Sequence, residues 1–292
     1  MNVRSYCMKR IFKIAGILLI LAFCIPLSTY GQAKINTKKV KIADVATRTT
    51  KVVLGSGGIM DSALRDEVSA RWRISPYEFC TAEEYKALRE DSNYYFLLIA
   101  RSDEKEYRGI RTLTLMKGGK PKADDPQKRP VEVASLPISA SGFPSGREIV
   151  FLPAMLDILQ DYVTRAMRSD GAGYTGFDIY ASQVRKTGIK RIFFSEDDLV
   201  PDMDEAFKRQ YFDEDMVIMS EEEADKAFQN ATYNTLVSYV VAPFDPQNGS
   251  WCYKMLIDAG THELLYYKHH RISARNWAGF LRKDIKAIFA KR

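Results

Sequence analysis

Three histidines and four cysteines are all that the 292 residues contain. The histidines, His262, His269 and His270, sit close together near the carboxyl end. Neighbours in a strand point to opposite faces, so His269 and His270 cannot jointly hold one metal. No cysteine or carboxylate spacing around His262 supports a zinc site. Neither a His-Glu-x-x-His nor a Gly-x-Ser-x-Gly pattern occurs. So few cysteines exclude a disulfide-dense scaffold. An excess of one charge is also missing. Four of the 43 basic residues and none of the 37 acidic ones fall within residues 1–31, leaving the rest at a net +2. That near-neutral balance gives no reason to expect a nucleic-acid partner. Beyond the amino terminus no apolar run is long enough to cross a bilayer.

The amino terminus has the pattern of a secretory signal. Arg4, Lys9, Arg10 and Lys13 precede an apolar stretch from Ile14 to about Leu27, and small residues around Gly31 suit cleavage. Roughly 14 apolar residues fall short of the ~20 that a retained span needs. At Cys24, Phe23 stands where a lipobox needs a small residue, so no lipid anchor is expected. The expected address is the bacterial periplasm or beyond. There Cys80 and Cys252 either pair or remain as two small buried apolar groups.

The rest of the chain is written twice. With a shift of 139 residues, Met60, Leu64, Val68 and Trp72 fall on Leu199, Met203, Phe207 and Tyr211. Apolar residues four apart mark one stripe of a helix. Val53-Leu54 falls on Ile192-Phe193 and Glu78-Phe79-Cys80 on Val217-Ile218-Met219, as short strands. Thr81-Ala82-Glu83-Glu84 and Ser220-Glu221-Glu222-Glu223 are capping boxes, each opening a second helix. After a slip of three, Phe96–Ala100 matches Ser238–Ala242 as a third strand. Ile110–Met116 and Trp251–Ile257 follow as β stretches, and the second copy adds Leu264–His270. Amphipathic helices over Glu148–Arg168 and Ala274–Ala290 close the copies, the latter with Trp277, Leu281, Ile285, Ile288 and Phe289 inward.

The expected fold is therefore α/β (α+β), with two tandem β-α-β-α-β-β-α units and mixed sheets. Residues 1–31 are the signal and 32–50 a polar arm. Residues 51–168 are the first repeat, 169–188 a Gly-rich linker and 189–292 the second repeat. Pro121–Pro144, with five prolines, is a long loop with at most a short strand at Val131–Ser135.

This order of elements resembles the amino-terminal domain of TolB and the related core of the CsgG secretion lipoprotein. The resemblance is strongest in the second copy, where Val237–Ala242 is followed by Cys252–Ala259 and Glu263-Leu264-Leu265-Tyr266. Those families end a strand in an Asp-Ala pair, here Asp258-Ala259, and open the next with Glu. The turn between is Gly260-Thr261-His262. The resemblance implies an envelope-located α/β fold used for binding and assembly.

Three constellations invite chemistry. Gly55-Ser56-Gly57-Gly58, between a strand and a helix, lies where a phosphate-cradling loop belongs. Met60 replaces the third glycine of the dinucleotide pattern, and the second copy has Ser195-Glu196-Asp197-Asp198 at that place, so a plain strand-to-helix turn is expected. The acidic run through Asp202, Asp204 and Glu205 lacks calcium-loop spacing and suits a helix start. Aromatic clusters at Tyr94-Tyr95-Phe96, Tyr239, Trp251-Tyr253 and Tyr266-Tyr267 suit strands, with a share facing outward or into an interface. No catalytic, cofactor-binding or metal residue is assigned, and no cofactor is expected. The expected function is a non-enzymatic periplasmic or secreted binding or assembly component with an envelope protein partner. The alternatives are an envelope hydrolase of glycan or peptide with acids at the inter-repeat cleft, and a structural subunit of an oligomer.

Overall fold

The computed structural model describes residues 42–55, 57–101, 108–120, 131–142, 145–181, 183–184, 188 and 191–291. The expected secretory leader, Cys24, most of the expected polar arm, Ser56 and half of the Pro-rich stretch lie outside these residues.

Two five-stranded mixed sheets carry the fold. In the first, β1 (Thr49–Leu54) runs parallel to both β2 (Tyr77–Thr81) and β3 (Tyr94–Arg101). Two antiparallel strands, β4 (Ile110–Lys117) and β5 (Val131–Ala140), follow, giving the order β2-β1-β3-β4-β5. The second sheet is built from β6 (Arg191–Ser195), β7 (Met216–Met219), β8 (Thr235–Val241), β9 (Trp251–Asp258) and β10 (Leu264–Arg271). Its order, β7-β6-β8-β9-β10, is the first one with each strand's counterpart in place. The duplication is thus present in both strand order and strand direction.

The helices repeat with the sheets. In the first copy α1 (Ile59–Arg71) joins β1 to β2 and α2 (Ala82–Leu88) joins β2 to β3. Residues α3 (Arg147–Val150) and α4 (Leu152–Arg168) follow β5, and α5 (Asp170–Thr175) comes next. The second copy has α6 (Glu205–Tyr211), α7 (Glu221–Gln229) and α8 (Arg282–Phe289). Both capping boxes form: Thr81 Oγ1 accepts from the Glu84 amide at 3.2 Å and Ser220 Oγ from the Glu223 amide at 3.3 Å. Each glutamate returns a bond to the amide of its cap.

Two apolar cores result. One joins Val52, Tyr95, Leu97 and Leu115 of the first sheet, Leu64 and Val68 of α1, the apolar residues of α4, and Val237, Tyr239, Met255 and Ile257 of the second sheet. The other lies on the opposite side of the second sheet, where Ile192, Phe194, Leu236 and Leu256 meet Phe207 of α6 and Ile285 and Ile288 of α8. β8 alternates between the two, as a strand buried on both faces must.

The structure departs from the sequence-based expectations at particular residues. Leu199 and Met203 do not lie on a helix. Asp204 accepts from the Phe207 amide at 2.7 Å and starts α6 only at Glu205, and Pro201 sits in the turn before it. Both residues are buried nonetheless, from a non-helical segment. The first closing helix breaks at Phe151 into α3 and α4. The second begins at Arg282 instead of Ala274, because residues 272–281 form a strap. Gly279 in this strap has φ +120, and a Cβ there would lie 2.9 Å from the Asp198 carbonyl oxygen. Trp277, expected to face inward, is 44% exposed. The Pro-rich stretch holds a ten-residue fifth strand, and the register slips beside Pro137, where the ladder lacks an N–H.

The expected arm and linker also take part in packing. Ile42 and Val45 are buried in the first core. Asp44 accepts bonds from Lys117 and from the Tyr95 hydroxyl, both at 2.7 Å. Phe177 and Tyr180 of the segment after α4 join the same core. Cys80 and Cys252 are free, buried and on different sheets. No helix among the described residues is long and apolar enough to cross a membrane.

Two predictions follow from this local structure. After α7, Ala231 has φ +47, with its amide on the Phe228 carbonyl and the Thr232 amide on that of Ala227. This helix end favours glycine. Ala231→Gly should raise stability by about 0.5–1 kcal/mol in denaturant unfolding. Burial opposes the charge of Asp44, but the bonds from Lys117, Tyr95 and Arg48 outweigh it and hold the carboxyl at about 2. A carboxyl depressed in the folded state contributes stability above its ordinary pKa and loses it as pH falls through the folded value. Asp44→Asn should therefore lower stability at pH 7 and flatten its decline between about pH 4 and pH 2.

Candidate functional site

The glycine loop after β1 is filled by the chain itself. The Asp61 carboxylate of α1 accepts the Gly55 and Gly57 amides at 3.0 Å each and the Gly58 amide at 3.3 Å. These are the donors a phosphate would need. The expectation of an ordinary strand-to-helix turn therefore acquires a physical reason: the nest already holds a carboxylate.

A buried charge cluster lies where the repeats meet. In the second sheet β6 is flanked by β7 and β8, and the crossover helices leave on opposite sides. Phe207 of α6 enters one core, whereas Ala224 and Phe228 of α7 enter the other. The crevice at the carboxyl ends of such strands is where open α/β sheets bind ligands. Here it contains Arg147 from the first repeat. Its Nε donates to Asp225 Oδ1 at 2.8 Å, one terminal nitrogen to Asp198 Oδ1 at 3.1 Å, and the other to the Ser238 carbonyl at 3.1 Å. Glu221 lies 3.7 Å away, and the rings of Phe151 and Tyr239 lie at 5.4 and 5.2 Å. Ser238 Oγ donates to Asp198 Oδ2 at 2.6 Å and accepts the Ser195 amide at 2.9 Å.

The electrostatics explain how a buried guanidinium is held. Burial opposes its charge, and Asp198 and Asp225 outweigh that penalty, so Arg147 stays protonated more firmly than an ordinary arginine. Burial pushes the carboxyls of Glu221 and Asp225 up, with Arg147 pulling each back. The adjacent Glu148 turns the other way, toward its own repeat. It accepts from Arg111 at 2.8 Å, and Arg111 also donates to Ser139 Oγ at 3.0 Å. Two consecutive residues thus tie α3 to both sheets.

A second cluster crosses the junction at the opposite end of the strands. Asp157 Oδ2 of α4 lies 2.7 Å from Nδ1 of His262 in the β9–β10 turn and accepts from Arg71 at 2.9 Å. Arg71 also pairs with Glu67 at 2.8 Å. The His262 ring stacks on Phe228 at 5.5 Å. His262 has φ +61, and its amide bonds the Asp258 carbonyl at 2.9 Å, while Asp258 Oδ1 accepts the Gly260 and Thr261 amides.

A third cluster lies under α8 on the far side of the second sheet. The Lys254 ammonium, 1% exposed, pairs with Asp284, 2% exposed. Tyr266 donates to the same carboxylate at 3.1 Å and the Leu281 amide at 3.0 Å. Cys252 Sγ accepts the Gly279 amide at 3.2 Å. His270 stands opposite Cys252 on the neighbouring strand.

Several sequence-stressed residues separate in space. His262 lies at the repeat junction, His269 faces Asp178 at 3.8 Å, and His270 faces α8. The acidic run divides too. Asp198 is buried against Arg147, and Asp204 caps α6 and pairs with Arg282 at 2.9 Å. Among the described residues no group of three His, Cys, Asp or Glu side chains is placed to hold a metal. The consecutive Tyr266 and Tyr267 are both buried, one in each core. Arg147, Asp157 and Lys254 were not singled out from sequence. The visible signals were a charged pair at the head of an apolar helix and a lone lysine inside an apolar strand.

No family model matches the chain, and neither a curated protein nor a solved structure does.

The junction predicts an asymmetric mutational response. Arg147→Ala strands the buried Asp198 and the partly buried Asp225, and should cost about 3–5 kcal/mol in denaturant unfolding. Replacing Arg147, Asp198 and Asp225 together with apolar residues of similar size should cost less than Arg147→Ala alone, because no uncompensated charge then remains.

Proposed function

We propose that the protein is a non-enzymatic binding or assembly component of the bacterial cell envelope, exported by its amino-terminal leader. One observation carries the reading. The crevice that would serve as a catalytic or ligand cleft in the second repeat is filled by Arg147, and its carboxylates hold the two repeats together. The glycine loop of the first repeat is likewise filled by Asp61. The order of elements, most of all in the second unit, resembles that of the TolB amino-terminal domain, which would imply binding and assembly by analogy alone.

A second reading is an envelope hydrolase of glycan or peptide with its acids at the junction. Glu221 and Asp225 favour it, since burial raises both carboxyls, as a general acid requires. Affinity purification of the tagged protein from its own envelope, followed by mass spectrometry, separates the two. The binding reading predicts a small set of envelope proteins in fixed proportion. Recovery of the protein alone, with glycan or peptide cleavage that Glu221→Gln abolishes, would replace it with the hydrolase.

A further inference from the structure

The strap at residues 272–281 is anchored at its two ends by Ile272 and Phe280, both buried, and between them by a histidine. His270 and the Trp277 carbonyl oxygen are bonded through Nε2 at 2.9 Å. A carbonyl only accepts, so Nε2 carries the proton of the neutral ring and Nδ1 is the unprotonated nitrogen. Nδ1 is shut off from solvent and meets no donor or acceptor among the described residues. Further along the strap the Gly279 amide bonds Cys252 Sγ at 3.2 Å. The Phe280 amide bonds the Asp198 carbonyl at 2.7 Å, and the Val200 amide returns to Phe280 at 3.3 Å. Asp198 is also the carboxylate that Arg147 reaches across the repeat junction. The strap therefore links the His270 end of the second sheet to the buried pin between the repeats.

The charged and titratable groups on this face oppose a second positive charge. From β9 come Cys252, opposite His270, and the buried Lys254. From β10 itself come Tyr266 and Lys268, which share its face by the period of two. From α8 come Lys283 and Asp284, the latter already engaged by Lys254, Tyr266 and the Leu281 amide. From the strap only the Trp277 carbonyl reaches the ring. A proton added at Nδ1 would have no acceptor and would sit near two ammonium groups.

We propose that the strap is an acid-released latch: protonation of His270 at Nδ1 frees Trp277–Gly279 from β9 and β10 and uncovers the Cys252 thiol, while Phe280 stays packed in the second core. Burial, and after it Lys254, pushes the imidazole down to about 4 in the closed state. In the open state the ring is exposed and takes a proton at its ordinary value, about 6.5. The open form therefore binds the proton first. Closure is favoured above pH 6.5 and weakens roughly tenfold per pH unit down to about pH 4.

The test follows alkali-independent modification of Cys252 by 4,4′-dithiodipyridine, located by peptide mapping, with Cys80 in the first sheet as the internal reference. The latch predicts that Cys252 labelling accelerates by up to about a hundredfold between pH 6.5 and pH 4.5 while Cys80 stays protected. His270→Gln, which keeps a donor for Trp277 without a titrating ring, should remove the acceleration. Amide exchange of Gly279 in the unsubstituted protein should rise over the same interval, while that of Phe280 stays slow. The proposal fails if Cys252 stays protected at pH 4.5, if Cys80 is exposed in parallel, or if the His270→Gln protein opens at the same pH.

Discussion

One helix shared by two sheets is the constraint on which the rest of the molecule depends. Ten of the seventeen residues of α4 are buried, on a helix with both sheets in its core. An ordinary surface helix buries one stripe and keeps the other wet. Here Leu152, Met155, Leu156, Leu159 and Val163 are all fully buried in a core to which both repeats contribute. The repeats are therefore one cooperative body by the apolar area they share, although the sequence writes them as separate units.

Apolar contact holds the repeats together without choosing their register. The choice falls to the directional groups along α3 and α4. Phe151 stacks on Phe228 at 4.0 Å, the Tyr239 hydroxyl bonds the Ile138 carbonyl, and Arg147 and Asp157 reach into the second repeat at separate places along the interface. Buried ion pairs of this kind add little net stability, because desolvation offsets most of the attraction. What they exclude is any other docking, since a shifted interface would leave Asp198 and Asp225 buried without a cation.

Much of the fold could be read from local signals. The two capping boxes and the strand runs act within a few residues, and both are present in the structure. Sequence pattern and structure part where a distant contact overrules local preference. The 274–281 segment has helix-compatible apolar spacing, but Gly279 must lie against the Asp198 backbone, and the segment is drawn out as a strap. Leu199 and Met203 carry the right spacing too, yet Asp204 offers a stronger helix start five residues later than the first. The candidate site was the least legible part. Arg147, Asp198, Asp225 and Ser238 are scattered over some ninety positions, and nothing local marks a guanidinium whose partners arrive only when the second repeat folds. The glycine loop shows the converse, a familiar local pattern emptied of its usual meaning by a carboxylate four residues away.

The contrast between α4 and α8 has a consequence for evolution by duplication. α8 occupies in the second repeat the place that α4 holds in the first, but it is apolar on one side only. Ile285 and Ile288 point to the core, while Lys283 and Lys286 are exposed. A third unit could not be added behind it without burying those ammonium groups. Repeat arrays end where the last member presents a wet face. By that measure α8 carries an outer, wetted face where α4 carries an inner one, although the two hold the same place in their repeats.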